Sequence, residues 1–177
     1  MSAEELRNRL SSCPKGQSGW RDFEDICIDI LRFSFVPPLH EPRIQARSSS
    51  GVTRRDAIFP NRITDTSIWG QLRNELGARM ILFEFKNNTK QKISPKDVNQ
   101  VNTYLTRPIG RLGIICSSTP PSKNAKTRRN SIYSHEEKVI LFLSREDLEE
   151  LTFMKERGDD PADLIIDMVE LFYIEHE

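Results

Sequence analysis

Apolar and polar positions fall into blocks along this chain, and the block at 78–88, ARMILFEFKNN, organises the others. Met80 to Phe83 is an unbroken apolar run, short enough for a strand buried on both faces of a sheet. Glu84 and Lys86 then interrupt it, with Phe85 between them. On a strand the two charges share one face and Phe85 takes the other. Opposite charges at the end of a core strand are costly to bury. The plain reading is a structural ion pair, since such networks also perturb charges. The functional reading is an acid–x–lysine metal site that needs a second acid from a neighbouring strand.

Upstream, a short charged segment and the turn-rich SSCPKGQSG make residues 1–18 an N-terminal lead-in, expected to be mobile. Ser18 reads as the cap of a helix over 20–33, stopped by Pro37-Pro38. On that helix Glu24 falls among Trp20, Cys27, Ile28 and Leu31. Either it faces a polar pocket, or the buried face runs through Phe23, Ile26 and Ile30; wheel geometry separates neither. Residues 40–47 read as a strand, SSSG as a hairpin turn, and Ala57-Ile58-Phe59, closed by Pro60-Asn61, as a second strand that begins at Asp56. Taken alone, Asp56 is best read as a strand-edge acid paired with Arg54 or Arg55.

A helix over 66–76 capped by Asp65 and closed by Gly77 leads into the central strand. Ser94-Pro95 opens a helix to about 106, burying Val98, Val101 and Leu105, with Gln100 and Tyr104 one turn apart at its edge. RLGIIC and VILFL are further buried strands, with a loop and a helix near Asn124 between them. Ser144, with Asp147 in the capping-box position, starts a helix to about 155, and Asp160-Pro161 a last one to about 174. Strand and helix alternate from 79 onward, which implies a parallel half-sheet joined to an antiparallel pair. The expected fold is a single α/β domain over 19–177: three layers, with a mixed central sheet flanked by helices.

Composition narrows the class. The chain has 177 residues, 37% hydrophobic and 29% charged, which suits one soluble domain. No apolar run approaches the ~20 residues that span a bilayer. Three cysteines without a CxxC pair suggest reduced thiols in a cytoplasm rather than disulfides or a zinc site. The formal net charge of zero hides an asymmetry. From 86 to 129 ten Lys or Arg face the single acid Asp97, a net of +9, and from 130 to 177 four face fourteen acids, a net of −10. A basic face for a polyanion and an acidic face for solvent or a partner would account for this.

With Asp56 placed beside Glu84 and Lys86, two carboxylates meet a lysine at a sheet edge. That set suits a hard divalent cation, Mg²⁺ or Mn²⁺, which keeps several waters. No Ser-His-Asp, Cys-His, HExxH, P-loop or GxGxxG arrangement stands out.

The pattern RRDAIFPN, MILFEFKNN and SPKDVNQVNTYL resembles the PD-(D/E)xK nuclease superfamily, in its Mrr-like restriction endonuclease branch, from about Trp20 to Leu151. Arg55 stands where the superfamily's name has proline. The resemblance implies a restriction-endonuclease-like fold and hydrolysis of DNA phosphodiester bonds in bacterial defence or restriction. It implies that Asp56, Glu84 and the Phe85 carbonyl hold the metal and that Lys86 assists the attacking water. Glu24 would bind a second metal or a metal water, and Gln100 would orient Lys86 or a phosphate oxygen. Arg54, Arg55, Lys90, Lys92, Lys123, Arg128 and Arg129 are the candidate phosphate contacts. A homo-oligomer or a sensor partner is an expected regulator. The rival reading is a nuclease-like nucleic-acid-binding or assembly module with little turnover; RNA remains an open alternative to DNA.

Overall fold

The computed structural model describes residues 1–47 and 54–176. In chain order these form α1 (Ala3–Ser12), a 3₁₀ turn (Gln17–Gly19), α2 (Trp20–Phe35), β1 (Arg43–Arg47), β2 (Arg54–Pro60), α3 (Ile68–Leu76), β3 (Met80–Lys86), α4 (Pro95–Tyr104), β4 (Leu112–Ser117), α5 (Lys123–Glu136), β5 (Val139–Leu143), α6 (Arg145–Arg157) and α7 (Ala162–Glu175). The sheet order is β1-β2-β3-β4-β5. The β1–β2 and β2–β3 pairs are antiparallel, and β3–β4 and β4–β5 are parallel. This is the mixed α/β sheet that the blocks imply, with the central strand in the middle. The SSSG turn lies outside the described residues.

Alternation along the strands divides the core in two. Ala57, Phe59, Ile81, Phe83, Leu112, Ile114, Val139 and Leu141 point to the face covered by α1, α2, α3, α6 and α7. Ile58, Leu82, Ile115 and Ile140 point to the other, under α4 and α5. Period-two burial on a sheet covered on both sides is what near-continuous apolar strands require. Helices on both faces are compatible with a three-layer arrangement.

Local capping chemistry sets most helix ends. Ser144–Asp147 forms the expected capping box, and Ser94, the expected cap of α4, is joined by Asp97 in a second one. Gly77 closes α3 at φ 58°, a left-handed conformation that glycine adopts without a side-chain penalty. Two starts differ from expectation. The cap of α2 is Gly19, because the 3₁₀ turn through Ser18 occupies the position before it. The cap of α3 is Ser67, and Asp65 instead accepts hydrogen bonds from the Ser67 N–H and hydroxyl.

The segment expected as a lead-in is built into the domain. α1 buries Leu6 and Leu10 in the same core cluster as α2 and α6. Arg145, at the start of α6, staples it: one guanidinium nitrogen donates to the carbonyls of Leu10 and Cys13 at 3.0 and 2.9 Å. The same side chain donates to Ser118 Oγ and Asn87 Oδ1, and its guanidinium lies 5.1 Å from the Phe23 ring centre. Such contacts, 132 and 135 residues apart in sequence, leave no local trace in the chain. Cys13, Cys27 and Cys116 are buried and free. Among the described residues, no helix is long and apolar enough to cross a membrane.

Candidate active site

The site lies at the carboxyl end of β3, where the sheet changes from antiparallel to parallel pairing. Clefts in open α/β sheets form at carboxyl ends of strands, near such changes in order. Register builds it. Arg43 pairs with Ile58 and Arg47 with Arg54, which sets Gln45 opposite Asp56. Ala57 pairs with Phe83, which sets Asp56 opposite Glu84. One row across three strands therefore carries Gln45, Asp56 and Glu84.

Within this row Asp56 Oδ2 accepts a hydrogen bond from the Phe85 N–H at 2.9 Å. Lys86 Nζ lies 3.5 Å from Glu84 Oε1 and donates to Gln100 Oε1 at 2.9 Å. Gln100 Nε2 in turn donates to the Tyr104 hydroxyl at 2.8 Å, which fixes the amide's orientation. Lys86 Nζ is also 3.9 Å from Asp97. Glu84 is 3% exposed, and its Oε2 is buried without a partner. Buried carboxylate oxygens are ordinarily satisfied, so this one is open to a proton shared with Asp56, to a donor or to a cation.

The electrostatics agree with the geometry. Burial, and then the charge of Asp56, push the Glu84 carboxyl up to about 8. Burial also raises Asp56, opposed by the Phe85 N–H and by Lys86. Two carboxylates that resist ionising beside each other are a poor arrangement for stability and a good one for a divalent cation. Among the described residues, no group of three or more His, Cys, Asp or Glu is disposed to hold a metal ion. Asp56 and Glu84 are the two carboxylates that this end of the sheet could offer a hard divalent cation, which keeps several waters.

Glu24 stands at the margin of this set. It is 9% exposed and its Oε1 accepts from Gln45 Nε2 at 3.1 Å. Burial raises its carboxyl, and the charge of Asp56 adds to the effect. α2 buries Phe23, Ile26 and Ile30 and also Cys27, Ile28 and Leu31, while Trp20 at its start stays exposed. Glu24 is thus a buried acid held by a partner from β1, and it does not join Asp56 and Glu84 in a three-acid cluster.

The candidate phosphate contacts separate into groups. Arg54 is exposed at the start of β2, close enough to lower Asp56 and Glu24. Arg55 is half-buried, its guanidinium 5.7 Å from the Tyr104 ring centre and its Nε without a partner. Lys90 and Lys92 are exposed on the β3–α4 connection, and Lys123 is exposed at the start of α5. Arg128 donates to Asn99 on α4 at 2.6 Å. Arg129 is elsewhere: it packs over the rings of Phe142 and Phe172, on the β5 and α7 side, where burial lowers its pKa. An arginine so enclosed does not present its charge to the cleft.

No family model matches this chain. Over 111 residues, 63% of its length, it is 30% identical to the "Putative transposon gamma-delta 80.3 kDa protein" of Escherichia coli (strain K12). The match spans only 15% of that protein. No solved structure matches.

Sequence reasoning passed over three members of the site. Asp97 stood only as the single acid of the basic stretch, and it caps α4 while also facing Lys86. Tyr104 stood only as an edge residue, although its helical spacing from Gln100 was the available signal. Gln45 had no signal at all, since only strand register brings it to Asp56. Two grooves flank Lys86. One, of about 480 Å³, runs along Asn88, Gln91, Ser94, Lys96, Asp97 and Gln100. The other, of about 500 Å³, is bounded by Gly16, Gln17, Trp20, Asn87 and Lys90. Larger depressions of about 590 and 730 Å³ lie at the opposite end of β3, around Gly77 and Arg79, and include none of Asp56, Glu84 or Lys86.

Proposed function

We propose that this chain is a metal-dependent nuclease of the PD-(D/E)xK type, with a restriction-endonuclease-like fold, that hydrolyses DNA phosphodiester bonds. One observation carries the reading. Asp56 and Glu84 face each other across β2 and β3, Glu84 keeps a buried unpartnered oxygen, and Lys86 is fixed 3.5 Å from its carboxylate. A structural ion pair has no need of the second acid, and the second acid weakens it.

Asp56 and Glu84 would hold Mg²⁺ or Mn²⁺, with the Phe85 carbonyl as the expected backbone ligand. Bound there, the ion would acidify a water and neutralise phosphoryl charge. The chain does the rest by position. Gln100, locked by Tyr104, holds the Lys86 ammonium at the carboxyl end of β3, where it orients the attacking water and offsets the negative charge that builds on the phosphate. An O–P bond to water forms, the P–O bond to the departing nucleotide breaks, and the leaving oxygen takes up the proton. Arg54, Arg55, Lys90 and Lys92 would supply positive charge for the phosphates. Glu24, near enough for the charge of Asp56 to raise its carboxyl, would steady a metal-bound water.

The partial likeness to a protein named for a transposon supports a DNA setting. A role in bacterial restriction or antiphage defence, in the cytoplasm and gated by a sensor or by self-association, extends the same reading. The test is cleavage of supercoiled plasmid, linear duplex, single-stranded DNA and RNA with Mg²⁺, Mn²⁺ or EDTA, comparing wild type with Lys86→Ala. Metal-dependent cutting of DNA that the substitution abolishes is expected. Cutting that survives Lys86→Ala overturns the mechanism. No cutting, with no metal-dependent gain in thermal stability, would favour the binding module instead.

A further inference from the structure

We propose that Trp20 is a stacking platform for an unpaired base, so that the cleft takes single-stranded or locally opened DNA in preference to closed duplex. The inference rests on the nuclease reading for its substrate class and adds a subsite to it.

The chain has two tryptophans with opposite fates. Trp69 is 2% exposed, edge-on to Phe35 in the core. Trp20 is 42% exposed at the first turn of α2. A lone exposed apolar residue is common and carries no meaning by itself. Its location does. Trp20 shares the 500 Å³ groove with Lys86, Asn87 and Lys90, and Lys86 also lines the groove on its other side, beside Gln100. A strand with its reacting phosphate at Lys86 therefore carries an adjacent nucleotide into the groove that Trp20 borders.

The Arg21 guanidinium lies 5.1 Å from the indole ring centre, a cation–π contact that adds positive charge beside the ring. The groove wall is tied to the site. Gly16 donates its N–H to the Asn87 carbonyl at 2.9 Å, and Asn87 Nδ2 donates to the carbonyls of Pro14 and Gly16, both at 3.0 Å. Gly16 takes φ 94°, and a β-carbon there would collide with Thr89 Oγ1, so this close approach requires glycine. The connector before Trp20 and the exit of β3 after Lys86 are thus one unit. An aromatic side chain beside a cationic backbone track is the chemistry of sequence-tolerant single-strand binding, because every base has a π-face. Inside a duplex those faces are already stacked on neighbouring pairs.

The experiment uses the full chain in EDTA, where no turnover occurs, and follows indole fluorescence and affinity with three probes. These are a short mixed-sequence DNA strand, the same backbone made of abasic residues, and the matched duplex. The base-bearing strand should quench the fluorescence and bind tightest. The abasic strand should bind without quenching, roughly tenfold weaker. Trp20→Ala should lose a similar factor for the base-bearing strand alone, and Trp20→Phe should recover most of it. Trp69 remains in both variants as a background that the probes do not alter. Equal affinity of the wild type for base-bearing and abasic strands overturns the inference, as does unchanged binding by Trp20→Ala. If Trp20→Ala does not fold, the wild-type comparison of probes decides. Quenching in EDTA with no cutting in Mg²⁺ would leave the stacking site standing and sink the nuclease reading. Cutting that is indifferent to Trp20 would do the reverse.

Discussion

The two halves of β3 follow different rules. Ile81, Leu82 and Phe83 are wholly buried, in contact with both helical layers, and every group they bury is apolar or paired within the sheet. One residue later Glu84 is almost as buried, yet it carries an unpartnered oxygen and a carboxyl that resists ionising. The first half contributes stability; the second gives some up. Local rules that hold along most of a chain and fail at one place mark that place as functional or strained. The boundary falls between Phe83 and Glu84, and substitutions on either side should separate stability from activity.

The largest effect is expected from Phe83→Ala. Phe83 lies between Phe35 and Phe59, with ring centres 6.4 and 5.4 Å away. Removing it should cost about 3–5 kcal/mol of unfolding free energy, measured by denaturant melts. Any loss of cleavage should follow the fraction unfolded. Lys86→Ala should behave oppositely. Metal-dependent cleavage should fall by roughly 10²–10³-fold, the cost of removing one preorganised charge donor. The fold should persist, because Glu84 can take a proton when its ammonium partner is gone. A melting temperature that collapses in Lys86→Ala would make the pair structural and erase the contrast between the halves.

How much of this was legible follows the same division. Apolar blocks announced four strands, Ile44 with the turn after it the fifth, and Ser94-Pro95 and the Ser144–Asp147 pair announced two helix starts, because these signals are local. The E-x-K spacing showed that Glu84 and Lys86 share a face, and Gln100 lies one turn from Tyr104 by helical periodicity. What escaped depends on distant partners. α1 looked like a lead-in because its two core leucines are sparse among charges, and its dock, Arg145, lies far along the chain. Arg129 read as one more basic residue until Phe142 and Phe172 enclosed it. Gln45 belongs to the site only through strand register. Sequence shows which residues could carry chemistry, and packing decides which of them meet.

A subtler test acts on the cost of the second half itself. In the metal-free protein the folded Glu84 carboxyl holds its proton up to about 8, whereas the unfolded one releases it near 4.5. The folded state therefore binds more protons across that window, so stability falls as pH rises through it. Glu84→Gln keeps the shape and removes this titration. In EDTA the variant should match the wild type near pH 4 and exceed it by about 1–2 kcal/mol at pH 8, after allowing for the lost pairing with Lys86. Some slope should remain, since Asp56 is raised too. Adding Mg²⁺ at pH 8 should reverse the order, stabilising the wild type and leaving the variant unmoved. A pH-independent difference between the two in thermal melts would mean that Glu84 is not the strained group.

The smallest effect is expected at the far end of the row. Gln45 adopts φ 51°, the left-handed region that a side chain ordinarily makes costly, and its amide holds Glu24. Two terms of similar size oppose each other there. The hydrogen bond to a carboxylate is worth about 1.5–3 kcal/mol, and the backbone conformation costs roughly 1–2 kcal/mol. Gln45→Ala keeps the conformational cost and loses the bond, so it should destabilise the protein and raise the Glu24 carboxyl further. Gln45→Gly loses both, so it should be nearly neutral in stability. If Glu24 acts on a metal-bound water, both variants should slow cleavage several-fold to the same extent despite their different stabilities. Cleavage rates that track stability instead would assign Glu24 and Gln45 to the fold alone. The functional half of the sheet would then end at Asp56.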